Sequence, residues 1–123
     1  MTVNLESLQQ QLQSEDIGDR MRALTEGRKL DLTDRFQLVC NAAGDANTRI
    51  RYDAVSQIAS VGVQDLPKSL AVLSDRLLHD PEMDVRAAAA DSSGALKLTE
   101  AFEMLVETYH TTGDWLLQFS IIA

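Results

Sequence analysis

The stretch Asp80-Pro81-Glu82-Met83-Asp84-Val85-Arg86-Ala87-Ala88-Ala89-Ala90 decides the fold of this chain. Asp80 is of a type that commonly caps the N-terminus of a helix, and Pro81 suits the first helical position, where no N–H is needed. Glu82 and Asp84 place negative charge at the positive end of the helix dipole. The alanines that follow favour a helix strongly. The stretch therefore predicts a turn followed by a buried helix that starts at Pro81.

The same pattern recurs in Asp45-Ala46-Asn47-Thr48-Arg49-Ile50-Arg51-Tyr52-Asp53-Ala54-Val55, where the arginine again follows the aspartate by six residues (45 to 51, as 80 to 86). With that arginine as position zero, small or apolar residues follow at plus three, four, seven and ten. Three copies share this spacing: Ala54, Val55, Ile58 and Val61; Ala89, Ala90, Ser93 and Leu96; Ala23, Leu24, Gly27 and Leu30. This spacing buries one face of a helix. The copies therefore predict equivalent buried helices.

Position zero is held by Arg20, Arg51, Arg86 and Gln118, at intervals of 31, 35 and 32 residues (20 to 51, 51 to 86, 86 to 118). A period of thirty-odd residues built from two helices is typical of an α-solenoid. We therefore predict an all-α fold, an α-solenoid of about four helical hairpins, with repeats at about 1–31, 32–63, 64–97 and 98–123 of a single domain. The last residues read as the apolar part of an unfinished helix, so we expect the N-terminal part of a longer solenoid.

Smaller features predict the ends of individual helices. Thr33 is expected to cap the third helix and Asp65 the fifth. Gly44 and Gly62 are expected to end the third and fourth helices. Two further helices are expected after residue 98. Gly27 and Ser93 stand at plus seven, where a larger residue would fill the core, so we expect thin packing at both positions.

The composition disfavours several classes of protein. With 45% apolar and 24% charged residues, two prolines and six glycines, the chain reads as one helical globular domain. A net charge of −8 without a clustered basic face disfavours nucleic acid as a partner. The N-terminal segment lacks the features of a signal peptide, and no apolar run approaches the ~18 residues that span a bilayer, so we expect no membrane insertion. The single cysteine, Cys40, suits a reducing cytoplasm, where we expect the protein.

Two stretches resemble a known family: Arg51-Tyr52-Asp53-Ala54-Val55-Ser56-Gln57, and the segment from Ala95-Leu96-Lys97-Leu98-Thr99 through Tyr109-His110 to Trp115-Leu116-Leu117-Gln118-Phe119-Ser120-Ile121-Ile122-Ala123. They are similar to HEAT-like repeats of the phycobilin lyase type, and most of all to the cyanobacterial phycobilisome-degradation proteins of the NblB type. The resemblance implies a cyanobacterial cytoplasmic protein. It also implies that the protein binds phycobiliproteins or their tetrapyrroles and assists phycobilisome turnover.

The arginines at position zero admit two interpretations. As functional residues they would form a ladder for anionic groups such as bilin propionates. As structural residues Arg20, Arg51 and Arg86 would pair with Asp45, Asp80 or a neighbouring carboxylate between stacked repeats. Repetition at a fixed period favours the structural interpretation, and Gln118 at the fourth position indicates a hydrogen-bonding role rather than one that needs charge.

Catalytic and metal-binding patterns are weak in this sequence. His79 and His110 lie in adjacent repeats (79 to 110), whereas a metal site usually needs three or four ligands with local pairing. Cys40 has no histidine nearby in sequence, so no nucleophile–base pair is evident. Carboxylate pairs such as Glu15-Asp16 are better explained as turn and capping residues. We therefore predict no catalytic residues, no metal and no obligatory cofactor, with a tetrapyrrole as the ligand that the resemblance implies.

A candidate binding surface follows from the row one residue after position zero. In a solenoid the second helices line the concave wall, and this row runs along it: Met21, Tyr52, Ala87 and Phe119. Arg22, Arg49, Asp53 and Trp115 should lie beside it. Aromatic and arginine side chains with mixed charges are typical of protein-binding surfaces. Alternatively, Phe119 packs against a following repeat.

Three functions remain open at this point. The leading hypothesis is a non-enzymatic binding module that docks phycobiliproteins during turnover of the pigment complex. The second is a bilin lyase-like subunit that moves or detaches a tetrapyrrole. The third is a general scaffold for protein–protein interactions.

Overall fold

The chain folds into stacked antiparallel helical hairpins. The structure is a computed structural model that describes residues 3–98 and residue 110. Within residues 3–98, six α-helices follow one another, and a 3₁₀ turn separates the fourth from the fifth: α1 Leu5–Gln11, α2 Ile17–Gly27, α3 Leu32–Ala42, α4 Thr48–Val61, the turn Gly62–Gln64, α5 Leu66–His79 and α6 Met83–Ala95. The hairpins are α1/α2, α3/α4 and α5/α6. The prediction of an all-α solenoid is confirmed. The expected fourth hairpin lies outside the described residues, apart from the helical residue 110.

The core consists of the predicted faces of the second helices and the facing sides of the first helices. In α4, Ala54, Val55, Ile58 and Val61 are fully buried. In α5, Leu73 and Leu77 are buried and Leu70 packs against the core from its edge. A single cluster of apolar side chains runs from α1 to α6. The packing is therefore continuous along the stack, as a repeat protein requires.

The second helices do not stack evenly. α4 packs closely on α6, which presents buried alanines from Ala87 to Ala90, and small side chains permit a short distance between helix axes. The Ser92 hydroxyl adds a buried hydrogen bond of 2.8 Å to the carbonyl of Val55 across this interface. By contrast, α2 and α4 touch only slightly, and the first two hairpins meet instead mainly through α3, which contacts both α1 and α2. This uneven stacking opens a groove between α2 and α4.

The expectation of thin packing at Gly27 is wrong. A Cβ atom at this position would lie 2.4 Å from Cδ2 of Leu38, so the Leu38 side chain of α3 already fills the space. Ser93 is also buried, and its hydroxyl donates to the carbonyl of Ala89 over 2.8 Å. The glycine therefore permits a close approach of α2 and α3 rather than leaving a gap.

Two predicted helix starts are also wrong. The N-cap of α3 is Asp31, which accepts from the N–H of Asp34 over 2.9 Å, whereas the Thr33 hydroxyl donates to Gln64. α6 begins at Met83 rather than Pro81, and its N-cap is Glu82. Asp80 lies two residues before this N-cap, and its carboxylate accepts from the N–H of Glu82 over 2.9 Å as well as from Arg51 and Arg76. The Asp65 cap of α5 is confirmed by a 3.0 Å bond from the N–H of Lys68.

Candidate functional site

Two arginines at position zero hold successive hairpins together. Arg20 contacts Asp45 through Nε at 3.1 Å and Nη2 at 3.3 Å, and its Nη1 donates to the carbonyl of Ser14. Arg51 repeats this geometry with Asp80, at 2.8 Å from Nε and 3.2 Å from Nη2, and its Nη1 donates to the carbonyl of Asp45. Each guanidinium therefore joins the turn of its own hairpin to the turn of the next.

The Arg51–Asp80 pair is the more deeply buried of the two. The exposed fractions of the two side chains are 7% and 0%. Asp80 also accepts from Arg76 Nη1 at 3.1 Å and from the N–H of Glu82 at 2.9 Å. Burial alone would raise the pKa of Asp80, but the hydrogen bonds from Arg51 and Glu82 and the charges of Arg51 and Arg76 hold it below its ordinary value. Asp80 is thus a charged residue inside the structure.

Arg86 does not repeat the geometry of Arg20 and Arg51. Its Nε donates to the carbonyl of Leu77 over 2.8 Å, and its Nη1 lies 3.8 Å from the sulfur of Met83. Both contacts are within its own hairpin. Gln118, the fourth position zero, lies outside the described residues.

A groove of about 650 Å³ lies between α2 and α4, with the first turn of α6 at its edge. Its lining comprises Met21, Leu24, Thr48, Arg49, Ile50, Tyr52, Asp53 and Asp84. Leu24 and Ile50 are buried and form an apolar floor. Tyr52 remains 47% exposed, and Arg49 and Asp84 are exposed beside it. The groove combines an apolar base with an aromatic ring and charges of both signs, which suits recognition of another molecule.

The groove brings together four of the residues that the sequence places on the concave wall: Met21, Arg49, Tyr52 and Asp53. Arg22 is not among the lining residues, because its exposed guanidinium turns back to Asp19 in the same helix. Trp115 and Phe119 lie outside the described residues. The sequence interpretation missed Asp84, although Asp84 and Arg49 both stand two residues before position zero.

A second group of charges borders the groove on the side of Asp53. Arg28 Nη2 lies 4.0 Å from Asp53 Oδ1, and Gln57 Nε2 donates to the same oxygen over 3.4 Å. The side-chain oxygen of Gln57 in turn accepts from Arg35, at 3.3 Å from Nε and 3.0 Å from Nη2. Burial lowers the pKa of Arg35, and the charge of Arg28 lowers it further, while Asp53 acts in the opposite direction. Arg28 thus makes a long contact to the Asp53 carboxylate, and Arg35 is connected to it only through Gln57.

The side chains that could bind a metal ion are not brought together in residues 3–98. No group of three or more His, Cys, Asp or Glu side chains there is placed to hold a metal ion. Cys40 lies in a cleft between α3 and α5 near Lys68, and burial raises the pKa of its thiol to about 11. Such a thiol is protonated at neutral pH and is a weak nucleophile. His79 is the exposed last residue of α5.

The stacked hairpins, the arginine–aspartate pairs and the groove along the second helices define an α-solenoid of the repeat-protein class. More specifically, this chain belongs to the HEAT-repeat family: the family model for HEAT repeats matches residues 5–94 and, in a second match, residues 37–123. No curated protein and no solved structure matches the chain significantly. Within the described residues, none of the helices is long and apolar enough to cross a membrane.

Proposed function

We infer that this chain is a protein-interaction module that binds its partner in the groove between α2 and α4. HEAT repeats commonly mediate protein binding. The observation that carries the proposal is the position of Tyr52, which stands half-exposed over an apolar floor beside Arg49. Aromatic and arginine side chains often carry much of the binding energy of a protein interface, because the ring buries much surface with few rotatable bonds and the guanidinium makes directed hydrogen bonds.

The position-zero arginines are already paired within the protein. This favours binding in the groove over the alternative in which these arginines bind anionic groups of a ligand. Arg51 is occupied by Asp80 and by backbone carbonyls, and Arg20 by Asp45 in the same way. A ligand carboxylate could reach Arg51 only after Asp80 had left a fully buried position. The arginines available for binding are instead the exposed ones, such as Arg49, which forms no ion pair within residues 3–98.

The partner that we propose is a phycobiliprotein of the phycobilisome, with the bilin itself as an alternative ligand. This choice rests on the resemblance of Arg51-Tyr52-Asp53-Ala54-Val55 and of the last residues to phycobilisome-degradation proteins. Tyr52 and Asp53 of that stretch line the groove, so residues of the resemblance coincide with the proposed surface. A cyanobacterial origin, a cytoplasmic location and a lyase-like activity on the tetrapyrrole belong to the same proposal.

The experiment that tests this proposal is a pull-down with intact phycobilisomes, with the Tyr52→Ala variant as comparison. We expect the unmodified protein to retain phycobiliproteins and the variant to lose most of them. Free bilin is then added to the purified protein. A new absorbance band without covalent attachment favours bilin binding, and covalent transfer or release favours the lyase-like activity. Failure of the unmodified protein to retain phycobiliproteins or to alter bilin absorbance would contradict this choice of partner.

A further inference from the structure

Within residues 3–98 of this acidic protein the exposed arginines lie near the groove, whereas the exposed Lys68 and Lys97 lie on α5 and after α6. The net charge of the chain is −8. Nevertheless, the three exposed arginines within residues 3–98, Arg22, Arg28 and Arg49, all belong to α2, its C-terminal cap or α4. The half-buried Arg35 of α3 lies next to them. Clustering of one sign of charge against the overall balance indicates a surface that attracts the opposite sign.

The ion pairs of these side chains show which positive charges are not neutralised by a carboxylate. Arg22 is neutralised by Asp19, and Lys29 is neutralised by Glu26 at 2.9 Å. At the Asp53 side, Arg28 and Arg35 have one carboxylate between them. Arg28 reaches it only at 4.0 Å, and Arg35 is hydrogen-bonded to the neutral amide of Gln57. The excess of positive charge therefore lies at Arg28 and Arg35.

The opposite end of the groove has a different charge balance. Asp84 lies there, exposed in the first turn of α6, near Arg49 in the first turn of α4. One carboxylate and one guanidinium offset each other at this end. An acidic ligand group is therefore disfavoured near Asp84 and favoured near Arg28. The charges therefore favour one orientation of a bound ligand, with its acidic group at the Arg28 end of the groove.

We propose that the groove binds an acidic peptide segment of a partner protein, with an apolar side chain over Met21 and Tyr52 and a carboxylate between Arg28 and Arg35. This inference rests on the proposed function and specifies the chemistry of the partner. Guanidinium groups bind carboxylates through charge-assisted and often bidentate hydrogen bonds, and a partly desolvated position strengthens them. Arg28 is accessible to a ligand, since its side chain is 57% exposed and its contact with Asp53 is long, at 4.0 Å.

The positions of Tyr52 and Arg35 decide how far apart the two ligand groups must lie. Tyr52 and Gln57, which holds Arg35, are five residues apart in α4, a rise of about 7.5 Å at 1.5 Å per residue and a rotation of about 140° around the helix axis at 3.6 residues per turn. The two contacts therefore lie apart both along α4 and around it. A peptide that repeats an apolar and an acidic residue presents such pairs at several spacings.

Three fluorescein-labelled peptides test the inference. They share a repeated Leu-Ser-X unit, in which X is glutamate, glutamine or lysine, and their binding to the purified protein is followed by anisotropy. We expect the glutamate peptide to bind about tenfold more tightly than the glutamine peptide, as one well-placed charged contact provides. Added salt should weaken the glutamate peptide more than the glutamine peptide. Equal affinities, preference for lysine, or no binding of the glutamate peptide would overturn the inference.

Three variants make the test specific to the site. Arg28→Gln should remove most of the difference between the glutamate and glutamine peptides. Lys29→Gln, an adjacent exposed cation, is the matched control and should leave the difference unchanged. Asp53→Asn should tighten binding of the glutamate peptide, because it removes the carboxylate that competes for both arginines. The assignment of the carboxylate to Arg28 and Arg35 would be refuted if Asp53→Asn bound the glutamate peptide more weakly. It would also be refuted if Lys29→Gln reduced the difference between the peptides as much as Arg28→Gln does.

The inference and the proposed function fail in different ways. If Tyr52→Ala weakens peptide binding while glutamate and glutamine peptides bind equally, the groove is a binding site without preference for acidic partners. If glutamate is preferred but Tyr52→Ala has no effect, the arginines act outside the groove, and both the inference and the assignment of the groove are wrong.

Discussion

The Nε atom of Arg51 lies 2.8 Å from Oδ2 of Asp80, so that two side chains 29 residues apart form a buried ion pair between the turns of successive hairpins. The same guanidinium donates to carbonyls of its own turn at Asp45 and Ala46. The hydrogen-bond partners of both side chains are groups of the protein itself. The pair therefore fixes the register in which one hairpin stacks on the next.

Replacement of Arg51 by alanine is expected to destabilise the fold by about 3–5 kcal/mol, because it removes one partner of a buried charge pair and leaves Asp80 with only Arg76 and the N–H of Glu82. Chemical denaturation followed by circular dichroism measures this loss. Arg86→Ala is also expected to destabilise the protein, but by less, since Arg86 contacts a carbonyl and a sulfur within one hairpin. An Arg86→Ala variant as unstable as Arg51→Ala would show that the pairing with Asp80 is not the cause.

The arrangement around Arg51 was largely accessible from the sequence, whereas that around Arg86 was not. Repetition of Asp and Arg at a fixed interval predicted residues that act between repeats, and Arg20 and Arg51 do so. The spacing of the repeats does not show which other side chains pair with the same carboxylate. It could not show that Asp80 would pair with both Arg51 and Arg76, or that α6 would begin at Met83.

The groove was predictable in part for a similar reason. Tyr52 and Met21 share a row of the repeat, so the sequence placed them on one wall. The width of the gap between α2 and α4 depends instead on how α3 packs between α1 and α2, with Leu38 against Gly27. The cluster of Arg28, Arg35 and Asp53 joins three helices, and no single-helix pattern predicts such a contact.

Acid should destabilise the protein through Asp80. Its pKa is lower in the folded protein than its ordinary value, so the folded state binds this proton less readily than the unfolded chain. The resulting stability is present above the unfolded pKa of about 3.9 and is lost as the pH falls through the folded pKa. Denaturation midpoints measured from neutral pH downward should fall in the unmodified protein. Asp80→Asn should be less stable at neutral pH and show a flatter dependence below pH ~4; an identical dependence would assign the acid sensitivity to other carboxylates.

A side chain at Gly62 is expected to lower the stability of the protein. A Cβ atom there would lie 2.6 Å from Cδ1 of Leu96 and 2.7 Å from Oγ of Ser69, whose hydroxyl donates to the carbonyl of Gly62 itself. Gly62→Ala should therefore cost about 1–3 kcal/mol through overpacking. Gly44→Ala is the matched control, since nothing lies within 4 Å of its added Cβ, and it should change stability by less than about 0.5 kcal/mol. Thermal melts of the two variants distinguish these outcomes, and equal melting temperatures would contradict the steric explanation.

Cys40 is expected to react slowly in the folded protein. Burial raises the pKa of its thiol from 9.0 to about 11, which reduces the thiolate fraction at neutral pH by about 100-fold. Alkylation by iodoacetamide should therefore be at least that much slower in buffer than in denaturant, and its rate should continue to increase above pH 9. Rapid alkylation at neutral pH would show an activated thiol and favour an enzymatic role.

The central claim is that the partner binds at Tyr52 and Arg49, and the most direct test is the affinity of two double variants for purified phycobiliproteins. Tyr52→Ala with Arg49→Ala should weaken binding by at least ~2 kcal/mol, because aromatic and arginine side chains dominate interface energetics. The helical circular dichroism should be unchanged, since both side chains are exposed. The control, Leu78→Ala with Lys68→Ala on the outer helix α5, removes an exposed apolar and an exposed cationic side chain and should leave the affinity unaltered. Loss of binding in the α5 variant alone, or equal affinities of both variants, would contradict the account.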